Sequence, residues 1–127
     1  MTRRQRVGIM PREEFKRRTV AIAKGGYKPG KGEPKIWFES VQSFAQVLSD
    51  DNRLLLHTIM EQKPQSLGEL AKLTGRKKSN LSRTLHMMAG YGFVDLVRNR
   101  TRELVPRVKV TRFDLKVELP RACAYRK

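Results

Sequence analysis

The sequence predicts an α+β fold in which helices come first and strands follow. Apolar residues recur at the three- and four-residue spacing of helices between residues 40 and 89. From Phe93 onward the pattern changes to β-prone runs in which apolar and polar residues alternate. The chain has 127 residues, which is the length of one domain with a short appended arm.

The first 35 residues predict a basic arm that is separable from the rest. Pro11 is a helix-start signal, and Phe15, Val20 and Ile22 follow it at loosely helical spacing. Residues 25–34 hold four glycines and two prolines, so we expect a linker there. The predicted division is therefore an arm and linker (1–35), a domain (36–119) and a polar tail (120–127).

Two helices are predicted at the start of the domain. Ser40 is a candidate N-cap, and it precedes an apolar stripe that runs from Val41 to Leu48. A second helix begins at about Asp51 and stops before Pro64, because proline disfavours a helical conformation in the residue before it. Its apolar face is predicted to consist of Leu55, Leu56, Ile59 and Met60.

A helix-turn-helix follows. The capping box Ser66-Leu67-Gly68-Glu69 begins the third helix, and Ala71 is small enough for two helices to cross closely. Gly75 ends that helix and can adopt the positive φ that a tight turn requires. The fourth helix runs from about Lys78 to Ala89. Its predicted inward residues are Leu81, Leu85 and Met88.

Three strands complete the domain. Residues 93–97 and 104–110 predict an antiparallel hairpin, and residues 98–103 form its basic tip. Residues 113–119 alternate apolar and polar side chains, as a half-buried strand does. This order of elements predicts a winged helix-turn-helix, a three-helix core with a β-hairpin wing. The basic helical arm precedes it and a C-terminal strand follows the hairpin.

The charge is unevenly distributed. The formal net charge is +16, with +8 in residues 1–36, −2 in residues 37–75 and +10 in residues 76–127. A mildly acidic block between two basic blocks indicates localised basic faces rather than uniform solubilising charge. Such faces suit a polyanionic partner, of which nucleic acid is the leading candidate.

The outward side chains of the fourth helix and the hairpin tip are the candidate contacts. They are cationic or hydrogen-bonding types, which suit phosphates and the base edges of the major groove. On and just before the helix they are Arg76, Lys77, Lys78, Ser79, Asn80, Ser82, Arg83 and His86. On the hairpin they are Arg98, Arg100 and Arg102, which we expect to grip phosphates from a mobile tip.

Three runs resemble a prokaryotic family of MarR-like winged helix-turn-helix transcriptional regulators. They are Ile36-Trp37-Phe38-Glu39-Ser40, residues 70–85 and Val105-Pro106-Arg107-Val108. The resemblance covers about residues 15–119, and its most specific part lies between Thr74 and Leu85. It implies sequence-specific binding of double-stranded DNA, a homodimer and, in most cases, repression. Some members look like antitoxins, so a toxin protein is a further candidate partner.

The sequence departs from typical MarR proteins at its C-terminal end. Nothing after Leu119 could supply the long helices through which those proteins dimerise. We therefore expect dimer contacts from the apolar side chains of the last strand and of the N-terminal helix. The strand residues are Phe113, Leu115, Val117 and Leu119, and the helix residues are Phe15, Val20 and Ile22. The alternative is that this strand only completes the domain's own sheet.

Other classes of function have little support. No apolar run approaches the roughly 18 residues that a membrane span needs. Cys123 is the single cysteine, and His57 and His86 are the only histidines, so neither a disulfide nor a metal site is expected. The acids are scattered, so we expect no enzyme activity and no cofactor. A cytoplasmic, nucleoid-associated location is the expectation.

One alternative stays open, an RNA-binding or ribosome-associated winged-helix protein. The same charge and the basic arm would serve it. Sequence-specific RNA binding usually uses exposed aromatic side chains to stack on bases. The three tyrosines Tyr27, Tyr91 and Tyr125 do not lie on the outward face of the fourth helix, which favours DNA.

Overall fold

A computed structural model describes residues 3–119. The predicted polar tail, with Cys123, lies outside this range. The described elements are β1 (Arg4–Ile9), α1 (Arg12–Ala23), β2 (Ile36–Phe38), α2 (Val41–Val47), α3 (Asp50–Gln62), α4 (Leu67–Thr74), α5 (Lys78–Gly90), β3 (Val94–Arg98), β4 (Leu104–Val108) and β5 (Arg112–Lys116).

Helices and strands are mixed, which confirms the α+β class. The strands form two small sheets, one of three strands in the order β2-β1-β5 and one made by β3 and β4. The described chain divides into two compact units. We call residues 3–4 and 45–112 the helical unit, and residues 5–44 and 113–119 the sheet unit.

Serine caps begin the first two helices of the helical unit. The Ser49 hydroxyl accepts a hydrogen bond from the backbone N–H of Asn52 at 3.2 Å, so α3 starts one residue earlier than predicted. The Ser66 hydroxyl accepts one from Glu69 at 3.0 Å, which confirms the predicted cap of α4. Each bond satisfies one of the N–H groups that a helix start leaves without a partner inside the helix.

The core of the helical unit lies between its helices and the hairpin. Leu70, Leu81, Leu85, Met88 and Phe93 are fully buried there, so the predicted inward face of the fourth helix is confirmed. β3 and β4 pair antiparallel in a register that sets Val94 opposite Val108 and Leu96 opposite Pro106, and the predicted hairpin is confirmed.

Two residues of the predicted apolar stripes are exposed, and the first of them, Val41 at the start of α2, is 47% exposed. Met60 is 43% exposed, although the apolar stripe of α3 placed it inward. It lies in the last turn of α3 and lines an open groove of about 470 Å³ with Pro64 and Pro106. Helical spacing gives the direction of a side chain, but it does not show whether another element covers it.

The sheet unit differs most from the prediction. The N-terminal residues were expected to form a separable, helical arm, but β1 is the central strand of the three-stranded sheet. It pairs in parallel with β2, with Val7 opposite Ile36 and Ile9 opposite Phe38. Residues on both sides of the predicted linker therefore belong to one unit, and the structure divides the chain elsewhere than at residue 35.

A side-chain cluster orders the Gly/Pro-rich segment of the sheet unit. The Glu33 carboxylate accepts hydrogen bonds from Arg18 at 3.0 Å, from the Tyr27 hydroxyl at 2.5 Å and from the backbone N–H of Gly30 at 2.7 Å. The Arg18 guanidinium lies 5.7 Å from the Tyr27 ring centroid and 5.1 Å from that of Trp37. These contacts hold residues 27–33 against α1 without regular secondary structure.

The same cluster changes the acidity of two side chains. The hydrogen bond from Tyr27, the N–H of Gly30 and the Arg18 guanidinium lower the pKa of Glu33 to about 2. The bond to the Glu33 carboxylate in turn raises the pKa of the Tyr27 hydroxyl. Hydrogen bonds to a charged carboxylate favour the charged form, so Glu33 is ionised at neutral pH.

None of the helices in residues 3–119 is both long enough and apolar enough to pass through a membrane.

Candidate nucleic-acid interface

The buried residues of α5 determine which of its side chains face outward. Leu81, Leu85 and Met88 occupy the inner face and are completely covered. The opposite face carries Asn80 and Arg83, and both side chains are exposed. Helical geometry therefore places these two predicted contact residues on the outer side of α5.

The start of α5 differs electrostatically from the starts of α3 and α4. Acids occupy the first turns of those two helices, whereas α5 has none in its first turn. Lys77 precedes the helix and Lys78 begins it, and no side chain caps its N-terminal N–H groups. Partial positive charge from the helix dipole and two lysines thus coincide at one end, an arrangement that favours anions.

A groove of about 460 Å³ brings α5 and the hairpin together. We call it the helix–hairpin groove. Its predicted contact residues come from both elements and are Lys78, Ser79, Ser82, Arg98 and Arg102. Leu67, Glu103 and Leu104 complete the lining. The Glu103 carboxylate lies 2.9 Å from the Thr101 hydroxyl oxygen, so one acid lies among the cations.

Hydrogen bonds of one asparagine give the hairpin tip a defined geometry. The Asn99 side-chain oxygen accepts hydrogen bonds from the backbone N–H of Thr101 at 2.9 Å, from its hydroxyl at 2.8 Å and from the N–H of Glu103 at 3.0 Å. The Asn99 amide donates to the carbonyl of Gln65 at 3.0 Å. The tip is thereby closed on itself and attached to the loop between α3 and α4.

The three hairpin arginines differ in their surroundings. The Arg98 guanidinium donates to the Arg102 carbonyl at 2.6 Å, so it helps to close the tip. Arg102 has a φ of 64°, in the left-handed region that non-glycine residues seldom adopt. Arg100 lies at the tip with its side chain exposed. Arg100 and Arg102 are therefore better candidates than Arg98 for contacts with the phosphates of a nucleic acid.

Two other predicted contact residues are held by the protein itself. The Arg76 guanidinium donates twice to the Asn52 side-chain oxygen, at 3.2 and 3.3 Å, and is half-buried. The Nδ1 atom of His86 lies 2.7 Å from the Ser82 carbonyl oxygen, which can only accept, so Nδ1 carries a hydrogen and donates it. That leaves Nε2 of His86 as the ring nitrogen able to contact a ligand.

Sequence reasoning missed Asn52, Gln65 and Asn99, which position the predicted contacts. Asn52 attaches the turn before α5 to α3, because its side-chain oxygen accepts the two bonds from Arg76. Its amide also donates to the Val47 carbonyl at 3.0 Å, at the end of α2. For Asn99 a signal was present, because an asparagine in a short turn often accepts, at its side-chain oxygen, a hydrogen bond from the backbone N–H two residues on. No such local pattern marks the long-range bonds of Asn52.

Among residues 3–119 no group of three histidine, cysteine, aspartate or glutamate side chains could hold a metal ion. His57 is exposed on α3.

The comparison with protein families gives one match. The family model HVO_A0114 matches residues 47–115, which is more than half of the chain. The matched range runs from the end of α2 into β5 and includes both sides of the helix–hairpin groove. A search of curated proteins found no match.

Proposed function

The chain belongs to the HVO_A0114 family, and on that premise and the geometry of its helical unit we propose that it is a transcriptional regulator. It binds double-stranded DNA in a sequence-specific way, and it does so with a winged helix-turn-helix. In this proposal α4 and α5 are the helix-turn-helix, α5 is the recognition helix and the β3–β4 hairpin is the wing.

The connection between α4 and α5 supports this assignment. Gly75 has a φ of 74° and its N–H donates to the Ala71 carbonyl at 2.8 Å, which ends α4 abruptly. Only two residues then separate Gly75 from the start of α5. A short turn of this kind, followed by a helix with a polar outer face, is typical of DNA-binding helix-turn-helix motifs.

The helix–hairpin groove is the observation that carries the proposal. A recognition helix in the major groove needs a nearby basic element that contacts the adjacent backbone. Lys78 and Ser79 at the start of α5 share one groove with Arg98 and Arg102 of the hairpin. Phosphate contacts from the hairpin would orient α5, and the outward residues of α5 would contact base edges.

The described aromatic side chains favour DNA over RNA. Tyr91 stacks on Phe93, with ring centroids 5.5 Å apart and planes inclined by 21°. Tyr27 is held by Glu33 and Arg18. Neither lies on the outer face of α5, where an unpaired base would need a stacking surface.

A binding competition tests the proposal. Duplexes that the full chain retains are selected from a random pool, and the affinity of the best is measured beside a scrambled duplex and a structured RNA hairpin. We expect the selected duplex to bind at least about 10³-fold more tightly than the scrambled one. Preference for the RNA hairpin would replace the proposal with the RNA-binding alternative, and equal affinity for all three would remove sequence specificity.

A homodimer is part of the proposal. One winged helix contacts few base pairs, and regulators of this kind usually place two copies on two half-sites related by a two-fold axis.

A further inference from the structure

The outer edge of β5 is open in the described part of the chain. β5 pairs with β1 on one side, and among residues 3–119 no strand pairs with its other side. The N–H groups of Thr111, which precedes β5, and of Arg112, which begins it, both donate to the Arg3 carbonyl, at 3.0 and 3.2 Å. At Arg112, the first residue of the strand, the backbone therefore faces β1. Backbone groups alternate sides along a strand, and the N–H and carbonyl of Leu115 therefore face the open edge.

Exposed apolar side chains lie along the same segment. Leu115 is 37% exposed, Val117 49% and Leu119 89%. An open strand edge with apolar side chains is a template for pairing with another chain. Covering these side chains would remove apolar surface from water while the backbone groups found partners.

The charges of this segment show which chain would fit. Arg112, Asp114, Lys116 and Glu118 alternate in sign. Two copies paired antiparallel about Leu115 would set Asp114 opposite the second copy's Lys116, and Arg112 opposite its Glu118. Pairing about Asp114 or Lys116 instead would set like charges opposite each other, which destabilises a sheet.

We propose that two copies of this chain associate through β5, antiparallel, about a two-fold axis at Leu115. The two three-stranded sheets then become one continuous sheet, with the same surface contributed by each copy. Phe113 of each copy lies opposite Val117 of the other. The Lys116–Glu118 pair within one copy, 3.3 Å apart and exposed, is exchanged for pairs between copies at little cost.

The role of this pairing rests on the proposed function: two copies related by a two-fold axis would place two recognition helices on two half-sites of DNA. The pairing itself can be measured in the absence of DNA. A protein that self-associates as described but binds no duplex would refute the proposed function and leave this pairing standing. A strictly monomeric protein that binds its duplex would refute both this pairing and the homodimer, and would leave sequence-specific DNA binding standing.

Complementary charge reversals test the pairing in the full chain without DNA. Asp114→Lys gives two lysines on the edge and Lys116→Asp gives two aspartates. In a dimer of either variant, residue 114 of each copy would lie opposite a like charge at residue 116 of the other copy. We therefore expect self-association, measured by sedimentation velocity, to weaken by about 10- to 100-fold. An equimolar mixture restores both opposite pairs, so the dimer should return as a mixed species.

The mixture distinguishes lost pairing from a lost fold, because two misfolded variants would not recover on mixing. Lys31→Asp, in an exposed loop of the sheet unit, makes the same charge change away from the edge and should dimerise like the original chain. Monomers of the unaltered chain at up to about 100 μM would overturn the proposal, since association follows concentration. So would variants that self-associate unchanged, or a mixture that stays monomeric.

Discussion

The outward residues of α5 differ in what already holds them. His86 bonds to its own helix and Arg76 bonds to Asn52. Asn80 and Arg83 are exposed, and neither makes a side-chain bond within the described part of the chain. Their amide and guanidinium groups are therefore available to a ligand, and these are the groups that bind adenine and guanine edges bidentately.

Asn80→Ala and Arg83→Ala should each reduce sequence discrimination. A bidentate contact is worth about 1 to 3 kcal/mol against the wrong base, so the ratio of affinities for selected and scrambled duplexes should fall accordingly. Arg100→Ala should weaken both affinities equally, because a phosphate contact carries no sequence information. Fluorescence anisotropy on both duplexes measures the two ratios. If Arg100→Ala lowers the ratio and Arg83→Ala does not, the roles of helix and hairpin are reversed.

Glu33 should make the sheet unit sensitive to acid. Its pKa is lowered from 4.5 to about 2 in the folded chain. The unfolded chain therefore binds a proton more readily, and the stabilisation from Glu33 is complete above pH 4.5 and is lost as the pH falls toward 2. Urea unfolding at neutral and acidic pH should show that the unaltered chain loses more stability across this window than Glu33→Gln. Parallel curves for the two proteins would contradict this account.

Among the elements, the hairpin tip is closed by the Asn99 side chain together with two backbone bonds, from the N–H of Asn99 to the Glu103 carbonyl and from the N–H of Arg102 to the Asn99 carbonyl. Asn99 forms three bonds within the tip and one to Gln65, so it fixes both the shape of the tip and its attachment to the α3–α4 loop. A preorganised basic tip loses less conformational entropy when it binds a backbone.

Asn99→Ala should loosen the tip without unfolding the helices. Net contributions of about 0.5 to 1.5 kcal/mol per hydrogen bond predict a modest loss of stability and a weaker affinity for all duplexes alike. Asn99→Asp is the matched variant, since it retains the acceptor oxygen and loses the donor to Gln65. Hydrogen exchange of the Thr101 and Glu103 amides should be fast in the alanine variant and slow in the aspartate variant. Equally slow exchange in both would show that the tip does not depend on Asn99.

Packing of β1 on β2 depends on a residue without a side chain. A Cβ at Gly8 would lie 2.3 Å from Cζ3 of the Trp37 ring, closer than atoms can approach. Gly8→Ala should therefore cost about 1 to 3 kcal/mol in thermal or urea unfolding. Gly90→Ala is the control, because beyond its chain neighbours and the backbone of its own helix no heavy atom lies within 4 Å of its Cβ position. An equal effect of both substitutions would show that the ring moves aside easily.

Local signals made the helices and the hairpin predictable. Ser66 and Gly75 act through bonds to residues three or four positions away, so a short window of sequence contains their cause. β1 could not be found in this way. Only half of its residues are polar or basic, but its apolar residues do not alternate with them. The residues of β1 form a strand because β2 and β5 lie beside them, the second more than a hundred residues later. The positions of Arg76 and Asn99 likewise follow from contacts across 24 and 34 residues.

At the scale of the whole molecule, the net charge of +16 should control affinity. A dimer that neutralises about 6 to 10 phosphates releases as many counterions, so affinity for duplex DNA should fall by about 10³ to 10⁵ between 50 and 200 mM salt. The plot of log affinity against log salt should be linear, and Arg100→Ala should reduce its slope by about 0.9 for each contact removed per duplex. Binding that is insensitive to salt would contradict a backbone-contacting role for the basic blocks.

The central position of β1 has a consequence for synthesis on the ribosome. β1 is translated before every other element of its sheet, and β5 is translated after all of them. Translation proceeds at about 5 to 20 residues per second, so the edge of β1 that pairs with β5 stays unpaired for roughly 5 to 20 s until β5 is synthesised. During that interval a nascent chain presents an open strand to neighbouring nascent copies. Arg4 and Arg6 lie on this strand, and their positive charges repel those of a second nascent chain until β5 pairs with β1 in each chain.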